Sequence, residues 1–210
     1  MIPVSGPWVY VFAGQNLQSV QHLEGQKFNY EVREVVQVAG ENISSVARGW
    51  NLFRLETAAP LPENESQKSE WRGVVRHLQY TGSELRKELQ ERLAKEYPAS
   101  AGTVAVLIPI RKSAAWWSLA QDERQQHFRR ESGSRNHSAI GLEFASKIYR
   151  KLYHARYFET LPRYDFLTYF EFNEKDSDDF RALLKDLRNV EQNPEWKYVE
   201  METEIWMTKK

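Results

Sequence analysis

The chain has 210 residues, of which 41% are hydrophobic and 28% charged, enough for one large domain or two small fused ones and too apolar for a disordered tail. It has no cysteine, which removes a disulfide framework, a Cys-rich zinc site, an iron–sulfur cluster and a thiolate nucleophile. Lys+Arg and Asp+Glu are both 29, so no whole-chain field favours nucleic acid.

No run of about 18 apolar residues is present, so no membrane span is expected. The start, Met1-Ile2-Pro3-Val4-Ser5-Gly6-Pro7, lacks the basic and apolar regions of a signal peptide, which makes the cytoplasm the default expectation. The zero balance hides an asymmetry. Between Arg111 and Arg156 there are ten basic and four acidic side chains, so this segment is positive and the remainder equally negative. Such a segment suits an anionic ligand, although solvated helix faces read the same way.

In chain order, Trp8 to Gly14 reads as a first strand, aromatic and β-branched with a glycine stop. Lys27 to Val38 has room for another, and Ala58 to Ser66 is a polar loop with two prolines. Trp71 to Tyr80 is strand-like. Thr81-Gly82-Ser83 opens a helix through about Tyr97, with Leu85, Leu89 and Leu93 on one face and Pro98 as its stop. Thr103 to Ile110 is a continuous apolar run, the mark of a strand covered on both faces. Ser113 caps a helix carrying Trp117, Ala120, Arg124 and His127, and a second helix is expected from near His137 to His154 after Gly133-Ser134-Arg135-Asn136. Tyr164 to Phe172 alternates as a strand. A helix capped by Asp176 or Ser177 follows, with Phe180, Leu183, Leu184, Leu187 and Val190 inward, and Glu195 to Met207 reads as a final strand. Strands interleaved with helices that pack on one side predict an antiparallel α+β sandwich of the ferredoxin-like kind. Such a sheet has an edge or face to cover, which favours a dimer.

Groups able to carry chemistry are few. The histidines are His22, His77, His127, His137 and His154. No pair has the spacing of a zinc hydrolase, and neither a nucleophile elbow nor a phosphate-cradling glycine loop is present. His137 follows a small polar loop and opens an apolar helical stretch, where an imidazole can point into a pocket. An ordinary helix-start histidine fits the same pattern. Arg150, thirteen residues on, would lie roughly 20 Å away along a straight helix, too far to touch one ligand atom with His137. The two could flank a large flat cofactor if the helix bends or the loop folds back, but on local pattern alone a solvent-exposed arginine is the favoured reading. His154 reads as structural. Trp116-Trp117, four and five residues after Lys112, stand out among seven tryptophans; core packing explains them as well as a flat aromatic ligand does.

Several stretches resemble the chlorite dismutase family. They are Leu107-Ile108-Pro109-Ile110-Arg111-Lys112-Ser113-Ala114-Ala115-Trp116-Trp117-Ser118-Leu119 with Asp122-Glu123-Arg124, then His137-Ser138-Ala139-Ile140-Gly141-Leu142, then Arg150 to His154, then Tyr164 to Phe172, and Glu195 to Glu200. Together they span about residues 103–207, in the family's order. The first 100 residues resemble it loosely, and their shortness is similar to the dimeric branch.

The resemblance implies two ferredoxin-like units, 1–100 (reduced) and 101–210, with haem b in the second. It implies chlorite as a small anionic substrate, converted to chloride and dioxygen, and a homodimer with neither nucleic acid nor membrane as partner. His137 matches the axial ligand of the haem iron and Arg150 the arginine on the substrate side. Glu195 matches the carboxylate that accepts the histidine N–H. Lys112, Trp116 and Trp117 match residues around the haem, and Thr168 falls on a pocket-lining position. Two loops, 133–136 and 157–163, look longer than the family pattern. A coproheme decarboxylase, a peroxidase-like haem enzyme and a haem carrier or sensor share the fold and remain the competing readings.

Overall fold

The structure, a computed structural model, describes residues 7–41, 45–75, 87, 103–128, 135–156, 158 and 163–210. Eight strands among these close into one antiparallel barrel: β1 (Trp8–Gly14), β2 (Gln26–Ala39), β3 (Asn51–Thr57), β4 (Trp71–Val74), β5 (Val104–Lys112), β6 (Tyr149–His154), β7 (Phe166–Phe172) and β8 (Val199–Lys209). Their order around the barrel is β1-β3-β2-β8-β5-β7-β6-β4. This is an α+β fold with an antiparallel sheet, as expected. Closure differs from the open sheet expected, and it leaves no free edge to motivate a dimer. The seam lies between β4 and β6, where Val74 pairs with His154. It depends on Gly73, because a Cβ there would come within 2.8 Å of Tyr153 Cβ.

Period-two alternation sorts each strand between interior and exterior. Val9, Val11, Leu52, Ala105, Leu107, Leu167, Ile205 and Met207 fill the interior. The interior also carries charge. Arg54 lies 4.0 Å from the Phe28 ring centre and 4.1 Å from that of Tyr169. It donates to Tyr30 Oη (3.2 Å), Tyr153 Oη (3.1 Å) and Glu56. Tyr30 and Tyr169 hydroxyls are 3.0 Å apart, Tyr169 donates to Glu171 Oε2 at 2.6 Å, and Lys151 Nζ to Glu56 Oε2 at 2.6 Å. Burial by itself raises the Glu56 carboxyl, but Arg54, Lys151 and Tyr153 together hold it below its ordinary value.

Helices cover the outer face of the second half. α1 (Glu63–Ser66) is a single turn beside β4. α2 (Ala114–Ser118) and α3 (Gln121–Gln126) stand where one helix was expected, because Ala120 is extended (ψ 161°). α4 (His137–Phe144) packs against α5 (Ser177–Arg188). Phe180, Leu183, Leu184 and Leu187 of α5 are buried with Val104, Val106, Phe170, Phe172 and Trp206 on the strands below. Full burial of each such side chain contributes about 1.5–3 kcal/mol.

Two expectations are corrected. The segment from His137 to His154 is a two-turn helix followed by strand β6, so Arg150 sits on a strand and the distance reckoned along a helix does not apply. Tyr149–His154 pairs residue for residue with β7, and that ladder outweighs the helical spacing of the sequence. Glu195 lies in a short 3₁₀ turn, Pro194–Tyr198, ahead of β8; Pro194 at its start pre-sets the helical φ. Strand β3, unanticipated, occupies the harder part of the first half. The expected helix 81–97, His77, and most of the loops 133–136 and 157–163 lie outside the described residues.

Candidate active site

The site lies on the outer face of β5, β7 and β6 together with α2, α4 and the 3₁₀ turn. His137 is the first residue of α4. Asn136 caps that helix, its side chain accepting the Ala139 N–H at 3.2 Å. Ser138 Oγ donates to the Phe128 carbonyl at 2.9 Å, and the Phe128 ring meets the imidazole edge-on at 5.0 Å. The ring is thereby held on one side by an aromatic and at its Nδ1 by Glu195.

Nδ1 of His137 lies 2.9 Å from Glu195 Oε2. The other carboxylate oxygen accepts from Lys112 Nζ, which also lies 3.4 Å from the Glu195 carbonyl. Glu195 is fully buried. Burial would raise its carboxyl, but Lys112 and His137 outweigh it and hold the group well below the usual carboxylate range. With an ionised acceptor at Nδ1, the neutral imidazole carries its proton there and presents the Nε2 lone pair. No described residue hydrogen-bonds Nε2. An imidazole oriented in this way has a lone pair available to a metal centre.

Lys112 Nζ lies 4.9 Å from the Trp116 ring centre and 5.8 Å from that of Trp196. Trp116 is buried among His127, Phe128 and Tyr198, with ring centres 5.4–6.2 Å away. His127 therefore belongs to an aromatic cluster, and burial lowers its pKa. Trp117 stacks on Phe166 (6.0 Å, 20°), lies 3.9 Å from the Arg156 guanidinium and donates to Asp165 Oδ2 at 3.3 Å.

Cross-strand pairing assembles the opposite wall. Arg150 faces Phe170, Leu152 faces Thr168, and Thr168 in turn faces Ile108. Arg150 and Thr168 are therefore diagonal neighbours on one face. Arg150 is accessible to solvent, yet surrounding protein lowers its guanidinium pKa, opposed by the charge of Glu195. Arg150 is thus an exposed cation on this face, within electrostatic reach of Glu195. His154 shares the face four residues on, because i and i+4 coincide on a strand as on a helix; it is buried edge-on against Phe166 at 5.3 Å.

All seven residues singled out from the sequence thus come to one region. What sequence reasoning missed is the buried carboxylate that joins them, Asp165, although an acid opening the apolar strand after Tyr164 was a visible signal. Among the described residues no cluster of three His, Cys, Asp or Glu could hold a bare metal ion. The donor set is that of one imidazole in a largely apolar and aromatic setting.

The profile of the chlorite dismutase family matches residues 17–209. The chain belongs to this family. A dimeric chlorite dismutase from Nitrobacter winogradskyi is similar at 30% identity and a TM-score of 0.70, covering 96% of this chain and 99% of that one. The chlorite dismutase of Candidatus Nitrospira defluvii, solved in complex with imidazole, shares the fold at 19% identity and a TM-score of 0.68, over 100% of this chain and 93% of that one. A chlorite dismutase from Ideonella dechloratans is 30% identical over 122 residues, 58% of this chain. The chain's match spans only 39% of that relative's length. The family match reaches from Leu17, so it takes in β2, β3 and β4 of the first half of the barrel but not β1, in the part where the sequence resemblance was loose. No helix among the described residues is long and apolar enough to cross a membrane.

Proposed function

We propose that the chain is a haem b enzyme that converts chlorite to chloride and dioxygen. The observation that carries this reading is His137, bound at Nδ1 by a buried carboxylate while Nε2 has no described partner. The residues present fit a haem: one imidazole with Nε2 available, aromatic side chains, and the Arg150 cation on the same outer face. When bound, the haem supplies the iron at which oxygen is exchanged with the oxyanion. The reaction needs no outside reductant, because ClO₂⁻ becomes Cl⁻ and O₂ with atoms and charge balanced.

The chain's own groups have separable roles. His137 Nε2 would ligate the iron. Glu195 accepts the Nδ1 proton's hydrogen bond, fixing the tautomer and strengthening the imidazole as a donor. Lys112 balances the Glu195 charge. Trp116 and Trp117 frame the cofactor, and Thr168 lines the same face as Arg150. Arg150 keeps its charge at any working pH, so it attracts chlorite and retains the departing anion, hypochlorite, until the oxygens join. The positive balance between Arg111 and Arg156 is met in the fold by acids from outside the segment: Glu56, Asp165, Asp179, Asp186, Glu195 and Glu200 each pair with one of its cations.

The strand order supports two ferredoxin-like units, 1–100 and 101–210. β4-β1-β3-β2 and β8-β5-β7-β6 repeat the same fourth-first-third-second pattern, and the pairs β2·β8 and β4·β6 join them. A homodimer is proposed from the likeness to the dimeric Nitrobacter enzyme, and light scattering showing a monomer or a pentamer would overturn it.

The decisive experiment is an oxygen-electrode trace on haem-loaded protein given chlorite. One dioxygen per chlorite over many turnovers is expected, with His137→Ala unable to hold haem. Absence of dioxygen together with decarboxylation of coproheme would replace the reading. A single turnover would leave a haem carrier.

A further inference from the structure

The pairing of β5 with β8 shifts register just where it reaches the site. It runs through Ile110 opposite Glu202 and Arg111 opposite Met201, then Lys112 faces Val199, with Glu200 of β8 as the extra residue. Lys112 itself keeps the alternation of β5, on the face of Ile108 and Ile110. Its backbone N–H donates to Asp165 Oδ2 at 2.7 Å, and its ammonium meets Glu195.

Asp165 does more than accept that N–H. The same oxygen accepts Trp117 Nε1–H at 3.3 Å, and Oδ1 accepts Arg156 at 2.9 Å. Its backbone N–H donates to Ile110 O at 2.8 Å, and its carbonyl accepts the N–H groups of Ala155 (2.8 Å) and Arg156 (3.3 Å). The side chain is 1% exposed. One buried carboxylate therefore ties the end of β5, the end of β6 and helix α2 together. Buried carboxylates satisfied by several donors hold geometry tightly, since releasing any donor leaves charge uncompensated.

We propose that Asp165 is a positioning residue of the site: by holding the Lys112 backbone at the end of β5 and the Trp117 indole it aims Lys112 at Glu195, and so tunes His137 without touching it. This rests on His137 being the haem ligand. When Lys112 is well aimed it neutralises part of the Glu195 charge and limits how strongly the carboxylate draws on the His137 N–H. A displaced Lys112 leaves Glu195 a stronger acceptor, which makes the imidazole a stronger donor.

The test compares haem-loaded wild type with Asp165→Ala, Asp165→Asn, Lys112→Met and the double variant Asp165→Ala/Lys112→Met. The readouts are the iron–histidine stretch in resonance Raman spectra of the ferrous protein and the ferric–ferrous midpoint potential. Asp165→Ala is expected to raise the stretch and lower the potential in the same direction as Lys112→Met, and to add little once Lys112 is gone. Asp165→Asn keeps one acceptor oxygen and should fall between. In haem-free protein, Asp165→Ala should shift the Lys112 amide and Trp117 indole proton resonances upfield. Unmoved Lys112 and Trp117 resonances would overturn the contact. A wild-type stretch and potential, or shifts that simply add to those of Lys112→Met, would overturn the positioning role even if the variant melts earlier. Wild-type protein that binds no haem would overturn the haem reading and this proposal with it, whereas normal haem binding with an unmoved stretch overturns this proposal alone.

Discussion

His137 and Glu195 are 58 residues apart in the chain and meet at 2.9 Å through Nδ1 and Oε2. The contact joins the first residue of α4 to a 3₁₀ turn held against the end of α5. Asn193 fixes that turn. Its side chain donates to Leu187 O at 2.7 Å, and its backbone N–H to Asn189 O at 2.7 Å. On the other flank Arg135 bonds Glu143 of α4, Asp186 of α5 and Gln192 before the turn. The pair is thus clamped from both sides by residues remote from the imidazole.

Glu195→Gln keeps the shape but leaves Lys112 buried without its counter-charge. Stability should fall by about 3 kcal/mol, read from urea unfolding near neutral pH. The acid limb is diagnostic. The folded-state carboxyl sits below its unfolded value, so its contribution is complete above the ordinary carboxylate range and disappears as pH falls below it. The wild type should lose stability in acid more steeply than Glu195→Gln; parallel curves would refute the assignment.

Arg150→Ala should retain haem and the ferric spectrum while turnover drops roughly ten- to a hundredfold, the scale of one lost charge-assisted contact. Escaping hypochlorite should bleach the haem early, and methionine added as a trap should prolong activity. Arg150→Lys should be intermediate, keeping charge without the planar fork. Wild-type oxygen yield and lifetime from Arg150→Ala without the trap would place Arg150 away from substrate.

Within the barrel, Arg54→Met leaves Glu56 with Lys151 and Tyr153 and removes the donor to Tyr30 and Tyr153. Loss of one partner from a buried pair costs about 3–5 kcal/mol, and the remaining Lys151 contact should keep the loss at the lower end. The double variant Arg54→Met/Glu56→Leu removes the carboxylate left with a single cation and should recover part of that loss. Denaturant midpoints measure both. Equal destabilisation in single and double variants would show that the cost lies in packing.

Glu202 behaves oppositely to Glu195. It is fully buried, one oxygen accepts from Arg188 at 2.7 Å, and the other has no described partner. Burial, aided by Glu204, raises its carboxyl above the ordinary value despite Arg188. The folded state therefore loses stability as pH rises from the unfolded pKa through the raised one. Glu202→Gln carries no such penalty. Its stability relative to wild type should rise as the pH climbs above the ordinary glutamate pKa of about 4.3, and a pH-independent difference would contradict the assignment.

Much of this protein was legible in local pattern. The alternation of Phe166 to Phe172, the apolar run Val104 to Ile108 and the spacing of Phe180, Leu183, Leu184 and Leu187 each report one buried face, which periodicity encodes directly. The absence of cysteine and the position of His137 after a small polar loop limited the chemistry to imidazole, carboxylate and guanidinium groups. Tertiary structure decided the rest. Whether Tyr149 to His154 is helix or strand depends on β7 lying beside it, a partner no local window contains. Barrel closure depends on the approach of Gly73 to Tyr153, residues 80 positions apart in the chain. The anchor of the Lys112 backbone is Asp165, 53 residues away. Local sequence sets which face a residue can present, but charge, protonation and aim belong to the partners that folding brings within a few ångströms, because electrostatic and hydrogen-bond energies fall away beyond that distance.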